Sequence, residues 1–217
     1  MFDFFLNTKI EGLSLYELLF WFLIYGVIGW VFESTLKTIE EGHFINRGFL
    51  LGPFIPIYSC GVTLFILFLT PIERLAPLEF TLSFLPEGHQ VLTFDYKYYI
   101  MFIAGGLICS ALEYVVSFVM EKMFHQRWWD YTDYKFNTKG RVCISITYCW
   151  GALSIAAIHF IHPLIGQNIT DHLPKKLGVI IMFVGYAWLL ADTIISNIIA
   201  KKKKEQILEE KSEQEEG

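Results

Sequence analysis

Apolar residues are gathered into five long blocks along this chain, and shorter polar stretches separate the blocks. A helix needs roughly 20 residues to cross the hydrocarbon core of a bilayer, and each block is about that long. The pattern therefore predicts an all-α integral membrane protein with about five transmembrane helices. The predicted spans cover residues 15–36, 48–69, 98–120, 142–161 and 177–200.

Composition supports a membrane protein with one domain. Of the 217 residues, 54% are hydrophobic and 18% are charged, which is too apolar for an ordinary soluble domain. We expect a single transmembrane domain over residues 1–200 and a charged cytoplasmic tail over residues 201–217. The net charge of −5 comes with no broad basic field, so nucleic acid is not an expected partner.

The distribution of basic residues predicts the orientation. Twelve of the 17 Lys and Arg residues fall on the side of the C-terminal tail, and five fall on the other side. Cytoplasmic loops carry the excess of Lys and Arg, so the N-terminus is predicted outside and the C-terminus in the cytoplasm. We expect a multi-pass protein of the cell membrane. The longest outer loop, residues 70–97, is predicted to hold an interfacial hairpin around residues 86–90.

The first four spans show an internal echo. In each copy a glycine stands seven residues before a glutamate, and an asparagine precedes a Tyr-x-x-Gly pattern by about a dozen residues. These positions are Gly26, Glu33, Asn46, Tyr58 and Gly61 in the first copy, and Gly106, Glu113, Asn137, Tyr148 and Gly151 in the second. The echo favours a parallel two-helix repeat of the kind some transporters use, and chance recurrence is the alternative.

The candidate acids are Glu33, Glu113 and Asp192, and each of them lies inside a predicted span. A carboxylate within the membrane is costly, so each must face a partner, a cavity or water. All three fall toward the cytoplasmic ends of their helices and could form one layer. Two interpretations stay open: the acids bind something, or they clamp neighbouring helices together.

The two cytoplasmic loops supply the other candidate binding residues. The first loop carries Asn46 and Arg47 and runs into a Gly- and Pro-rich stretch, which favours an irregular helix start or a tight turn. The candidates in the second loop are Trp129, Asp130, Tyr131, Asn137 and Arg141. An aromatic belt at the membrane interface is the alternative for Trp129 and Tyr131. Glu113 and Arg141 are expected to form a charge pair.

Catalytic and cofactor chemistry finds little support in the sequence. His159 and His162 stand three residues apart near the outer end of the fourth span, but nothing fixes four ligands in one place. We therefore expect no metal site and no cofactor. The sequence has no G-x-x-x-x-G-K-[ST] phosphate loop and no nucleophile–base pair, so we expect no enzyme activity.

Several of these segments together resemble the type IV ABC-transporter permease family, also called CmpB. The segments are Gly29–Glu33, Asn46–Tyr58, Glu113-Tyr114, Trp128–Tyr131, Phe136-Asn137 and Gly140-Arg141. The resemblance implies a membrane subunit of a transport complex, and ATP hydrolysis would then come from a separate subunit. A separate ATPase subunit, the lipid bilayer and a second copy of the chain are the expected partners.

Three classes of function remain at this stage. A transport subunit ranks first, because repeats, an irregular helix start and intramembrane acids all favour it. A non-transporting membrane adaptor or scaffold ranks second, with the same polar residues only locking helices. A small membrane enzyme using Glu33 or Glu113 as an acid or base ranks third.

The charge distribution makes a testable prediction about topology. Reporter domains that are active only in the cytoplasm should be active when fused after Lys204 or at Lys135, and inactive when fused at Glu87. Activity of the fusion at Glu87 would contradict the five-span orientation.

Overall fold

The computed structural model describes residues 2–77, 79–82, 92–124 and 127–216. Its helices are α1 (Phe2–Asn7), α2 (Leu15–Glu41), α3 (Pro56–Glu73), α4 (Tyr96–Phe124), α5 (Ile144–Ala156), α6 (Asn168–His172) and α7 (Lys175–Glu216). Its strands are β1 (Lys9–Ile10), β2 (Leu13–Ser14), β3 (Glu79–Leu82), β4 (Leu92–Asp95), β5 (Asn137–Thr138) and β6 (Val142–Cys143). Within this part of the chain, five helical segments are long and apolar enough to span a membrane, which confirms the predicted fold class.

The fourth spanning segment, Ile144–His172, is not uniform. It consists of α5, a π-helical stretch over Ala157–Gln167, and α6. Pro163 lies inside the π-helical stretch. Proline lacks a backbone N–H and disturbs the regular hydrogen bonding of an α-helix, which accounts for a locally wider helix here.

The ends of α2 follow from local sequence. Ser14 precedes the helix and forms a capping box with Glu17, in which each side chain binds the other residue's backbone N–H. At the other end, Gly42 adopts a left-handed φ of 73°, and its N–H donates to the carbonyl of Thr38 at 3.0 Å. Glycine takes up this conformation without steric cost, so the helix ends there.

The second spanning helix, α3, begins at Pro56, whereas the sequence pattern predicted that this span starts at residue 48. Residues 48–55 are apolar but not helical. Gly52, Pro53 and Pro56 explain the difference, because proline disfavours helical backbone in the residue before it and suits the first helical position itself. The non-helical residues 48–55 and the proline at the first helical position are compatible with both expected alternatives, an irregular helix start and a turn followed by a proline-initiated helix.

Strands β3 and β4 pair antiparallel, with Glu79 opposite Asp95 and Leu82 opposite Leu92. This pairing confirms the strands of the hairpin expected within residues 70–97. Its predicted turn, residues 86–90, lies outside the described residues.

Proximity of Cα atoms divides the chain into two compact units. Unit 1 contains residues 1–60, 116–129 and 170–217, and unit 2 contains residues 61–115 and 130–169. Unit 1 therefore holds Glu33 and Asn46 of the first copy of the sequence echo, and unit 2 holds Glu113 and Asn137 of the second.

Unit 1 is packed around aromatic and aliphatic side chains of α2 and α7. Tyr16 and Phe20 contact Val179 and Met182, and all four are almost fully buried. Between spanning helices, van der Waals packing of such side chains stabilises the contact, because lipid is as apolar as the side chains themselves.

Close approach at glycines is a feature of both units. In unit 1, α2 presents Gly26 to the ring of Phe54 and Gly29 to the ring of Tyr58. In unit 2, a Cβ atom at Gly106 would lie 2.8 Å from the carbonyl oxygen of Thr147. The hydroxyl of the same threonine lies 2.6 Å from the hydroxyl of Ser110. Small residues thus let the two helices of each hairpin approach closely, as is common in membrane proteins.

The contact at Gly29 makes a prediction about stability. In Gly29→Ala, the new Cβ would overlap the Tyr58 ring, and we expect a loss of about 1–3 kcal/mol in the free energy of unfolding. Gly61→Ala is the matched control, because a Cβ there would meet Cys109 Sγ at an ordinary 3.5 Å. Thermal unfolding in detergent measures both. Equal melting temperatures for the two variants would contradict the close helix contact.

Candidate functional site

The connection between α2 and α3 is held by hydrogen bonds to side chains of unit 1. The Oδ1 atom of Asn46 accepts from the indole N–H of Trp30 at 2.6 Å, and its Nδ2 atom donates to the carbonyl of Leu51 at 2.8 Å. The backbone N–H of Arg47 donates to Ser34 Oγ at 3.1 Å. Asn46 thus organises this loop, because its side-chain amide can both accept and donate a hydrogen bond.

Asp192 of α7 fixes the later part of the same loop. Its Oδ1 atom accepts from the N–H of Leu51 at 3.2 Å, and its Oδ2 atom accepts from the N–H of Gly52 at 3.0 Å. Ser196, one turn further along α7, donates to Oδ1 at 3.3 Å. The carboxylate is only 7% exposed. Backbone amides satisfy this buried acid, so the structure supports the clamp interpretation for Asp192.

Glu33 lies beside the loop with two polar partners. Its Oε1 atom accepts from the hydroxyl of Tyr58 at 2.6 Å, and its Oε2 atom lies 3.8 Å from Nε of Arg47. The ring of Tyr58 reaches this position across Gly29, one turn before Glu33 on α2. The side chains of Glu33 and Arg47 are 33% and 45% exposed, so the pair is open to water or to a ligand.

A pocket of about 560 Å³ surrounds this pair, and every residue that lines it belongs to unit 1. We call it the Glu33 pocket. Its lining residues are Glu33, Arg47, Gly48, Phe49, Ile55, Pro56, Ile57, Tyr58, Cys60, Val116, Met120, Met123, Trp128, Trp129 and Asn197. Within the pocket wall, Phe49 and Trp128 stack with ring centroids 5.6 Å apart. The volume lies within the range of small-molecule binding sites, which are mostly apolar with a few polar groups.

In unit 2 the corresponding glutamate has different surroundings. Glu113 is 5% exposed and accepts from the hydroxyl of Tyr131 at 3.4 Å, with the indole of Trp150 as a further polar neighbour. The guanidinium of Arg141 lies 5.7 Å from the centre of the Tyr114 ring, a cation–π distance. The expected Glu113–Arg141 charge pair stays a prediction.

Tyr131 is the loop residue that reaches Glu113. Burial raises the pKa of Tyr131, and the nearby Glu113 carboxylate raises it further. The hydroxyl therefore keeps its proton at neutral pH and remains a hydrogen-bond donor. Tyr58, on a helix, has this role in unit 1, whereas Tyr131, on a loop, has it in unit 2.

Asn137 organises the second loop. Its Nδ2 atom donates to the carbonyls of Thr132 and Tyr134, and its Oδ1 atom accepts from the N–H of Gly140 at 2.9 Å. Lys139 and Gly140 both have positive φ, which forms a tight turn between β5 and β6. The recurring asparagine therefore has the same kind of role in both copies of the echo.

The ten candidate residues divide between the units. Glu33, Asn46, Arg47, Trp129 and Asp192 belong to unit 1, and Glu113, Asp130, Tyr131, Asn137 and Arg141 belong to unit 2. A single layer of three carboxylates thus stays a prediction. Asp130 accepts from the backbone N–H of Thr132 at 2.9 Å, which stabilises its own loop.

Sequence reasoning missed several residues that complete the site. They are Trp30, Ser34, Phe49, Tyr58, Trp128 and Ser196. Tyr58 carried a signal, since it is part of the echo, but Tyr148 at the equivalent position is 59% exposed and its ring lies tilted against that of Phe102. Ser34 and Ser196 carried none, because a serine inside an apolar helix is common.

The two histidines of the fourth span are not brought into a cluster of metal ligands in the described part of the chain. His159 Nδ1 lies 2.6 Å from Glu73 Oε1, and His162 is 2% exposed. Glu73 and His159 thus form a local pair within unit 2.

The Asp192 clamp makes a prediction. Asp192→Asn replaces one acceptor oxygen by an NH₂ donor that faces a backbone N–H, and we expect a loss of about 1–3 kcal/mol in the free energy of unfolding. Asp171→Asn, at an exposed position of α6, should change little. Thermal unfolding in detergent compares the two. If Asp192→Asn melts with the wild type, the clamp contributes nothing to stability.

Comparison with known proteins bears on this site as a whole. The model of the family described as "Putative ABC-transporter type IV" matches residues 20–197, which include the Glu33 pocket and both loops. No curated protein and no solved structure matches the chain. Because the family match covers well over half of the 217 residues, the chain belongs to the type IV ABC-transporter family.

Proposed function

We propose that this chain is an integral membrane subunit of a transport system and that it has no ATPase activity of its own. Membership of the family and five helices of membrane-spanning length support this assignment. The observation that carries it is the Glu33 pocket, which combines a charged pair with an apolar wall beside a non-helical stretch of chain.

A non-helical stretch between two spanning helices is informative about function. Transporters often build binding sites where helices are interrupted, because the exposed backbone and nearby side chains can contact a solute. Here Gly48 and Phe49, from the interrupted stretch, line the pocket together with Glu33 and Arg47. Asp192 holds that stretch in place from α7.

The charge distribution supports an orientation with the N-terminus outside and the C-terminus in the cytoplasm. The Glu33 pocket would then lie toward the cytoplasmic end of α2. A separate ATPase subunit is the partner that this arrangement requires, since the sequence lacks a phosphate-binding loop. A second copy of the chain is a further candidate partner.

A membrane adaptor is the second candidate function. The observation that favours it is the tightly hydrogen-bonded loop around Asn137, which presents Phe136 with 82% of its surface exposed. Such a loop could bind another protein without any transport. Chemistry on a substrate receives no comparable support.

ATP hydrolysis distinguishes these proposals. The purified chain in lipid should hydrolyse no ATP, whereas the chain isolated from native membranes in mild detergent should bring an ATPase subunit with it. Hydrolysis in the isolated complex is the measurement, with an unrelated tagged membrane protein isolated in parallel as the control. Hydrolysis by the chain alone would mean that it has a nucleotide site. If no ATPase accompanies the chain, the adaptor function is favoured instead.

A further inference from the structure

We propose that the Glu33 pocket binds the headgroup of a zwitterionic phospholipid that carries a primary amine, with its acyl chains leaving over exposed apolar side chains. This inference deepens the proposed transport function, because it names the class of molecule that the same pocket would take. Three features support it: the charges in the pocket, the hydrogen-bonding capacity of Glu33 and Arg47, and the exposed apolar part of the pocket wall.

The charges favour a zwitterion. Among the residues that line the pocket, Glu33 and Arg47 are the two charged side chains, so the described lining has no net charge. A ligand with one positive and one negative group matches such a lining, whereas a simple anion or cation would meet a like charge as well as an opposite one.

One oxygen of the Glu33 carboxylate can still accept a short hydrogen bond. Oε2 of Glu33 lies 3.8 Å from Nε of Arg47, which is longer than a direct N–H···O hydrogen bond. Oε1 is already used by Tyr58, so Oε2 is the atom available to accept from an ammonium group. A primary ammonium can donate such a bond.

Arg47 can bind the phosphate. Its contacts within the described chain use the backbone N–H and Nε, and both Nη nitrogens remain available as donors. The planar guanidinium matches the spacing of two phosphate oxygens. Since 45% of the Arg47 side chain is exposed, the group can turn toward a ligand at little cost.

Part of the pocket wall is apolar and exposed. Met123 and Trp128 both line the pocket, and they are 55% and 39% exposed. Met120 and Val116, on the same helix as Met123, extend the apolar wall. Exposed apolar side chains on a spanning helix face acyl chains, and methionine adapts to flexible chains. A tail attached to the headgroup would therefore leave along this wall, which favours a lipid over a water-soluble zwitterion.

The test uses delipidated full-length protein in detergent, with bound ligand measured by native mass spectrometry. The probes are short-chain phosphatidylethanolamine, short-chain phosphatidylglycerol and tail-free phosphoethanolamine. We expect the wild type to bind phosphatidylethanolamine best. Glu33→Gln and Arg47→Gln should each weaken that binding about tenfold, since each removes one charge-assisted contact.

Matched variants separate binding from folding. Glu33→Gln keeps an oxygen that can accept from Tyr58. Met123→Trp should block the tail path and weaken lipid binding, and the exposure of Met123 means that the larger side chain can be accommodated in the fold. Lys37→Gln is the control, because Lys37 belongs to an ion pair with Glu41 on α2 that does not line the pocket.

Each alternative result overturns a stated part of the proposal. Equal binding of phosphatidylglycerol would exclude selection of a zwitterion, and equal binding of phosphoethanolamine would exclude a lipid. Binding that survives both charge variants would place the ligand elsewhere. Absence of lipid binding in a preparation that still carries an ATPase subunit would refute this ligand and leave the transport function standing. Lipid binding by a preparation that carries no ATPase subunit would refute the transport function and leave this ligand standing.

Discussion

The need to satisfy backbone polar groups between two spanning helices governs unit 1. The chain leaves α2 at Gly42 and does not become helical again until Pro56. Backbone N–H and C=O groups of such a stretch must find partners, because an unsatisfied group in an apolar setting costs several kcal/mol. The partners come from three places: Asn46 within the stretch, Ser34 on α2 and Asp192 on α7. The N–H of Ile55 is satisfied in the same way, by the carbonyl of Gly26 at 3.0 Å.

This solution also creates the candidate binding site. The hydrogen bonds that hold the stretch leave Gly48 and Phe49 in the wall of the Glu33 pocket. Gly29 lets Tyr58 approach α2 and reach Glu33, so the acid keeps one oxygen bound and the other near Arg47. Structural and binding interpretations of the polar residues are therefore not exclusive. Asp192 acts as a clamp, and Glu33 lines a pocket.

The sequence predicted the features that depend on local pattern. Five apolar blocks predicted five spanning helices, and the polar residues in the loops after the first and third spans predicted where specific contacts would form. The start of α3 could not be placed from hydrophobicity, because residues 48–55 are apolar yet interrupted by Gly52 and Pro53. The role of Asp192 could not be predicted either, since its partners Leu51 and Gly52 are far away in sequence.

The spacing that the two copies of the echo share predicted the role of the asparagine but not the surroundings of the glutamate. Asn46 and Asn137 do share a role as loop organisers. The glutamates do not share their surroundings, because Glu33 is one-third exposed and Glu113 is almost fully buried. The similar spacing therefore goes with a similar role for the asparagine and with different surroundings for the acid.

Hydrogen exchange at the backbone of the interrupted stretch tests the central claim most directly. The amides of Leu51 and Gly52 bind the Asp192 carboxylate, so in detergent-solubilised protein they should exchange far more slowly than the amides of His43 and Phe44, two exposed residues that follow Gly42. Segment-resolved mass spectrometry can follow both regions in one experiment. Exchange at Leu51 and Gly52 as fast as that around Gly42 would contradict the account, because the stretch would then not be held and the pocket that it lines would not be formed in advance.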